Sequence, residues 1–142
     1  MARDMTRDEW RAFVSAGTRT AHVATTRADG RPHVAPIWFV LDGDDVVFTT
    51  HADTVKGRAL RRGGPVAISV DDQTPPYSFV FIEGIAEPST DLDEMRRWAT
   101  AIGSRYMGSE AGADFGLRNA VEGELLVRVR LTKVVAKADM AA

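Results

Sequence analysis

The sequence predicts a mainly β fold, an antiparallel barrel with covering helices, and three observations carry that reading. Six segments of strand length are rich in Val, Ile, Phe and Thr. Neighbouring segments are joined by short turns built on Asp-Gly, at Asp29-Gly30 and Asp42-Gly43, which suit hairpins between antiparallel strands. There is no regular strand–helix–strand alternation and no GxGxxG, which argues against a Rossmann arrangement.

The chain has 142 residues, which fits one domain with a core that needs no staples. No repeat, low-complexity run or linker divides it. A net charge of -2 argues against general nucleic-acid binding, which needs a basic field. The absence of cysteine excludes a disulfide framework, a thiolate zinc site and a cysteine nucleophile. The start, MARDMTRDEW, lacks the apolar core of a signal peptide. No apolar run approaches the roughly 20 residues that span a bilayer, so a cytoplasmic protein is expected.

Taken in order, Thr6 and Glu9 form a capping box ahead of Trp10, Phe13 and Val14, and Gly17 stops that helix. Residues 20–26 suit a strand, and 28–32 a turn. The next strand, 33–41, is apolar on both faces: Val34, Pro36, Trp38 and Val40 on one, Ala35, Ile37, Phe39 and Leu41 on the other. Such a strand must be covered on both sides, one by the core and one by a second subunit or a flat ligand. Pro36 lacks an N–H, which places it at a bulge or an edge. Residues 45–50 return as a strand, and Asp53 or Thr54 caps a short helix over 54–62. Strands follow at 65–70 and 77–87, with a bulge expected at Gly84. Asp91 and Glu94 start the longest helix, 92–107. The glycine-rich stretch 108–121 reads as a loop with one helical turn near 115–120. A last strand covers 124–136, and the tail KADMAA is expected to fray.

Lys56, Arg58, Arg61 and Arg62 follow a strand end at Thr49 and Thr50, whose hydroxyls can donate to phosphate. Two readings stay open from spacing: an anion cradle, or a solvated basic helix face. Trp38 and Tyr77 are read first as core or interface packing and second as walls for a flat ring. His22, His33 and His51 have no metal-ligand spacing, so no metal site is expected. GxSxG is absent. Glu83, in an apolar strand, is expected to pair with an arginine. Arg105 and Tyr106 end the long helix; they either close a site or finish its apolar stripe.

The sequence resembles the pyridoxamine 5'-phosphate oxidase-like split β-barrel proteins, and within them the actinobacterial branch that uses the deazaflavin coenzyme F420. The residues carrying this are TRTAHVATTRADGRPHVAPIWFVLDGDDVVFTT, Thr54-Val55-Lys56, GRALRRGGPVAISVDD, FVFIEGIAE and GELLVRVRLTKVVAKAD. The resemblance implies an antiparallel Greek-key split barrel, a homodimer, and two cofactor sites at its interface. It implies that Val34, Ala35, Pro36, Ile37, Trp38 and Phe39 line the cofactor ring. Thr49 and Thr50, with Lys56 and Arg58, would hold the phosphate. Pro76, Tyr77, Ser78 and Phe79 would join the cofactor region, as would Arg105 and Tyr106. The implied activity is hydride transfer from reduced F420 to an unsaturated conjugated acceptor. FMN is the alternative cofactor, and a non-catalytic cofactor- or tetrapyrrole-binding protein the alternative role. The acceptor would be chosen by the 72–79 loop, the 103–116 region and the other subunit.

Overall fold

The structure, a computed structural model, describes residues Met1–Ala142. In chain order the elements are β1 (Arg3–Asp4), α1 (Arg7–Ser15), β2 (Ala21–Thr26), β3 (Pro32–Ile37), β4 (Val40–Asp42), β5 (Asp45–His51), α2 (Val55–Arg61), β6 (Gly64–Asp72), β7 (Ser78–Ser89), α3 (Leu92–Met107), α4 (Ser109–Asn119) and β8 (Glu124–Ala138). Every strand pairing is antiparallel, as the hairpin turns require. The strand order is β3-β2-β6-β7-β8-β5-β4, with β1 on β8.

The doubly apolar strand is two strands. β3 pairs with β2 at one end of that order, and β4 pairs with β5 at the other. Trp38 and Phe39 carry the chain between the two ends, which rolls the sheet toward a barrel. The expected single strand 33–41 therefore breaks where the curvature closes. Pro36 lies in the edge strand, where its missing N–H costs no ladder bond. The register slip expected at Gly84 is present, between Glu83 and Gly84.

The core fills the barrel with Val23, Ile37, Phe39, Phe48, Leu60, Val70, Ile82 and Val127, closed at one side by Trp10 and Val14 of α1. The capping box of α1 forms: Glu9 N–H donates to Thr6 Oγ1, and Thr6 N–H to Glu9 Oε1, both at 3.2 Å. A smaller cluster of Val47, Met95 and Leu126 seats α3 on the outside of β5 and β8.

Three expectations are corrected. The stretch 108–121 is not a loop with one turn but the 11-residue helix α4. Its glycines serve packing: a Cβ on Gly112 would lie 2.0 Å from Ser104 Oγ, and one on Gly116 2.0 Å from Thr100 Oγ1. Spaced four apart, they clear one face of α4 for α3. The tail does not fray: β8 runs to Ala138, then Met140 and Ala141 N–H groups donate to the carbonyls of Tyr77 and Pro76. Glu83 is exposed, and its partner is Lys133, 3.9 Å away, not an arginine.

Candidate functional site

The β5–α2 corner is held by His51 and Thr54. Thr54 Oγ1 accepts from Gly57 N–H at 3.0 Å and donates to His51 O at 2.9 Å. His51 Nδ1 accepts from Asp53 N–H at 3.1 Å, which tightens the loop into α2. Gly57 lets the helix press on the strand end, since a Cβ there would fall 2.0 Å from His51 O. The corner presents four cations. Arg62 Nη2 donates to Thr26 O, Arg58 Nη1 donates to Asp53 O, and Arg61 sits 4.0 Å from Asp53. Lys56 and Arg58 have no carboxylate within 4.0 Å.

Thr49 and Thr50 point to opposite faces of β5. Thr50 faces the barrel with Phe48, is buried, and its Oγ1 has no hydrogen-bond partner. Thr49 is half-buried on the outer face. Glu124 stands across from His51 in the β5–β8 register, on that same outer face. Burial raises its pKa above the usual carboxylate range, against the opposing pull of His51 and Lys56. A cavity of about 320 Å³ opens beside it, lined by Arg61, Ser89, Thr90 and Glu124.

Along β3 the six predicted ring-lining residues alternate. Ala35 and Ile37 turn inward, and Phe39 beyond the strand is fully buried. Val34 is 65% exposed and Trp38 42%, with Pro36 exposed between them. Next to Val34 an apolar groove of about 340 Å³ crosses β2, β6, β7 and β8, lined by His22, Ala67, Phe81 and Val135 among others. Phe81 and Val135 are exposed large apolar residues.

At the start of β7, Tyr77 is exposed and adopts φ 62°, a left-handed conformation that non-glycine residues rarely take. Pro76 and Tyr77 carbonyls receive the tail, Ser78 Oγ accepts from Asp139 N–H at 3.4 Å, and the Phe79 ring stacks on Phe81 at 4.4 Å. Arg105 and Tyr106 are committed to the fold. Arg105 donates to the carbonyls of Gly17, Phe39 and Val14 at 2.9, 2.7 and 2.7 Å. Burial lowers its pKa. Tyr106 O–H donates to Arg19 O at 2.6 Å and accepts from Phe39 N–H at 3.3 Å. Burial raises the pKa of that phenol.

The predicted residues thus fall into separate groups. Thr49, Lys56 and Arg58 lie on the consecutive elements β5 and α2. Residues 76–79 lie at the other end of β7: Phe79 pairs with Lys137, whereas Ser89 pairs with Leu126, which also faces Thr49. That separation is on the order of 33 Å along the strand. His51, Glu124, Phe81 and Val135 were not singled out in the sequence as site residues. Their relevance comes from cross-strand register and outward orientation, which no local motif carries.

The pyridoxamine 5'-phosphate oxidase family matches residues 6–134. The chain belongs to this family. Among solved structures, Rv2991 from Mycobacterium tuberculosis, a conserved hypothetical protein, is 27% identical, with a TM-score of 0.80 over 93% of this chain and 84% of that one. An F420 reductase is 28% identical, with a TM-score of 0.68 over 87% of this chain and 94% of its own. A FAD-binding protein from Mesorhizobium loti shares the fold at 17% identity and a TM-score of 0.71, over 96% of both chains. No curated protein matches the sequence. As a family member, the chain has the mainly antiparallel sheet and covering helices expected of a split barrel. No helix is long and apolar enough to cross a membrane.

Proposed function

We propose that this protein is an F420-dependent oxidoreductase, a homodimer that reduces an unsaturated conjugated small molecule. The observation that carries the proposal is the α2 corner: Lys56 and Arg58 form no ion pair within 4.0 Å on the helix into which β5, carrying the half-buried Thr49, turns. A charge left unpaired next to free donors fits a phosphate. The exposed Arg58, Arg61 and Arg62 extend the positive surface toward the anionic oligoglutamate tail that distinguishes F420 from FMN. The 28% identical F420 reductase supports the same choice.

When bound, reduced F420 supplies a hydride, and the protein orients the partners and keeps them dry. Val34 and Pro36 offer a flat apolar surface for a ring. Lys56, Arg58 and Thr49 hold the phosphate end. The single O–H of Tyr106 already donates to Arg19 O, and three of the five N–H groups of Arg105 donate to backbone carbonyls.

Distance supports the two-copy arrangement. One small cofactor cannot touch both residues 49–58 and residues 76–79 of a single copy, but it can touch the first set from one copy and the second from another. Val34, Phe81 and Val135 supply the apolar surface that such a contact needs. Titrating the purified protein separately with F420 and FMN, read by cofactor fluorescence, tests the assignment. F420 binding followed by oxidation of reduced F420 on adding an acceptor is the expected result. Tight FMN binding without F420 binding moves the protein to the FMN branch of the fold. Tight F420 binding without turnover on a broad acceptor panel makes it a carrier.

A further inference from the structure

α1 presents Arg7, Arg11 and Ser15 at four-residue spacing, so they share one face of the helix. Arg7 takes both oxygens of Asp44: its Nε lies 3.0 and 3.1 Å from them, and its Nη2 lies 3.0 Å from Oδ1. Arg11 reaches the same carboxylate only at 3.6 Å, and its Nε is buried without a hydrogen-bond acceptor. Two guanidiniums thus share one carboxylate. A cavity of about 440 Å³ opens beside this face, lined by Arg11, Ala12 and Ser15 of α1, Val40 and Leu41 of β4, and Arg105 of α3. No carboxylate lines it. Arg105 is held there by the carbonyls of Val14, Gly17 and Phe39, which answer its N–H groups but carry no net charge. Burial lowers its pKa, Tyr106 pulls the other way, and the like charge of Arg19 lowers it again. The cavity therefore sets two cations beside a half-buried apolar wall, and the one carboxylate close to Arg11 is already engaged by Arg7.

We propose that this cavity is a binding site for a small apolar carboxylate, whose oxygens meet Arg11 and whose hydrocarbon body lies against Val40 and Leu41. The site does not depend on the oxidoreductase reading, and it belongs to α1 and β4 rather than to the α2 corner. A guanidinium fork matches the two oxygens of a carboxylate. A buried donor without an acceptor is unfavourable, and a carboxylate oxygen beside Arg11 Nε relieves it. The wall decides the rest of the ligand. A hydrated inorganic anion leaves Val40 and Leu41 facing water, whereas an alkyl chain covers them. Arg105 contributes positive potential as a fixed wall, since its bonds to Val14 O and Phe39 O tie α1 to the residue that precedes β4. Those bonds set the two sides of the cavity relative to each other, so the site is formed before a ligand arrives.

The test titrates ¹⁵N-labelled protein with hexanoate at pH 7, with hexanamide and inorganic phosphate as controls. The Nε–H signal of Arg11 is assigned by its loss in Arg11→Gln. The expected result is a saturable shift of that signal and of the backbone amides of Ala12, Ser15 and Leu41. Hexanamide, which has the chain without the charge, and phosphate, which has the charge without the chain, should each bind there at least about tenfold more weakly. Arg11→Gln is expected to weaken hexanoate binding about tenfold, and Arg11→Lys, which keeps the charge and loses the fork, by less. Lys56→Ala should leave hexanoate affinity unchanged. An unmoved Arg11 signal, equal binding of hexanamide or phosphate at these residues, or unchanged affinity in folded Arg11→Gln overturns the proposal. An equal loss in Lys56→Ala places the carboxylate at the α2 corner and overturns it as well. The titrations with the three probes use the unmutated protein, so a misfolded variant does not block the test.

Discussion

At the α2 end of the barrel Lys56 and Arg58 form no ion pair within 4.0 Å, while at the end of α3 Arg105 spends its guanidinium on three backbone carbonyls. Both are basic residues near a helix terminus, and both belong to the set that the family resemblance puts near the cofactor. The difference lies in what each side chain is asked to satisfy. Arg105 ties α1, the β3–β4 crossing and α3 together by answering carbonyls that would otherwise be left without donors. Lys56 makes no hydrogen bond or ion pair in the protein and Arg58 makes one hydrogen bond, to Asp53 O, so both keep donors that an anion from outside can use. Residue type alone does not mark a ligand-binding cation; an unspent charge does.

Four substitutions sharpen or break this contrast. Arg105→Ala has the largest expected effect. Three charged hydrogen bonds go, and stability should fall by about 2–4 kcal/mol in urea unfolding. Phosphate affinity at the α2 corner should stay put. A variant of wild-type stability would show that the carbonyls find other donors. Gly57→Ala comes next, because its new Cβ would collide with His51 O and push α2 off the strand. It should cost about 1–3 kcal/mol of stability and weaken phosphate binding together, since the corner itself moves. Loss of one without the other would separate the corner from the cradle.

Lys56→Ala should do the reverse of Arg105→Ala. Cofactor affinity falls by about 1–3 kcal/mol, while the unfolding midpoint shifts by no more than about 0.5 kcal/mol. Calorimetry and urea melts on one preparation check both halves, and unchanged affinity removes the phosphate role. The smallest effect concerns Glu124, whose pKa is raised in the folded state chiefly by burial. A carboxyl raised on folding binds its proton more tightly in the native state. Stability is therefore lost as pH climbs from the ordinary glutamate range to the raised value. Glu124→Gln should flatten that decline. Urea midpoints measured from pH 4 to 7 that fall equally in both proteins would move the cause elsewhere.

The parts of the fold that depend on local chemistry were legible in the sequence: the capping box of α1, the two Asp-Gly turns, the slip at Gly84 and the long stripe of α3. The parts that depend on remote partners were not. Nothing between His33 and Leu41 announces that β3 and β4 belong to opposite ends of the strand order. The glycines of α4 read as loop residues until α3 is placed against them. The tail gains its order from Pro76 and Tyr77, some 60 residues earlier. At the site the cation-bearing helix was legible, because strand end, cap and basic residues are contiguous. The division between Thr49 and Thr50 follows from strand alternation once β5 is in place. The commitment of Arg105 and Tyr106 to backbone groups required the tertiary structure.

The seam between α3 and α4 has a dynamic consequence. Gly112 and Gly116 bring α4 against Thr100 and Ser104, and α4 leans almost wholly on α3. An element that rests on one neighbour can part from it while the strand ladder stays paired. The amides of α4 should therefore exchange with solvent through a local opening, at a lower free energy than those of β7 or β8. Phe115 rides on that helix, its ring 6.0 Å from that of Trp38, so each opening lifts one aromatic neighbour away from the indole.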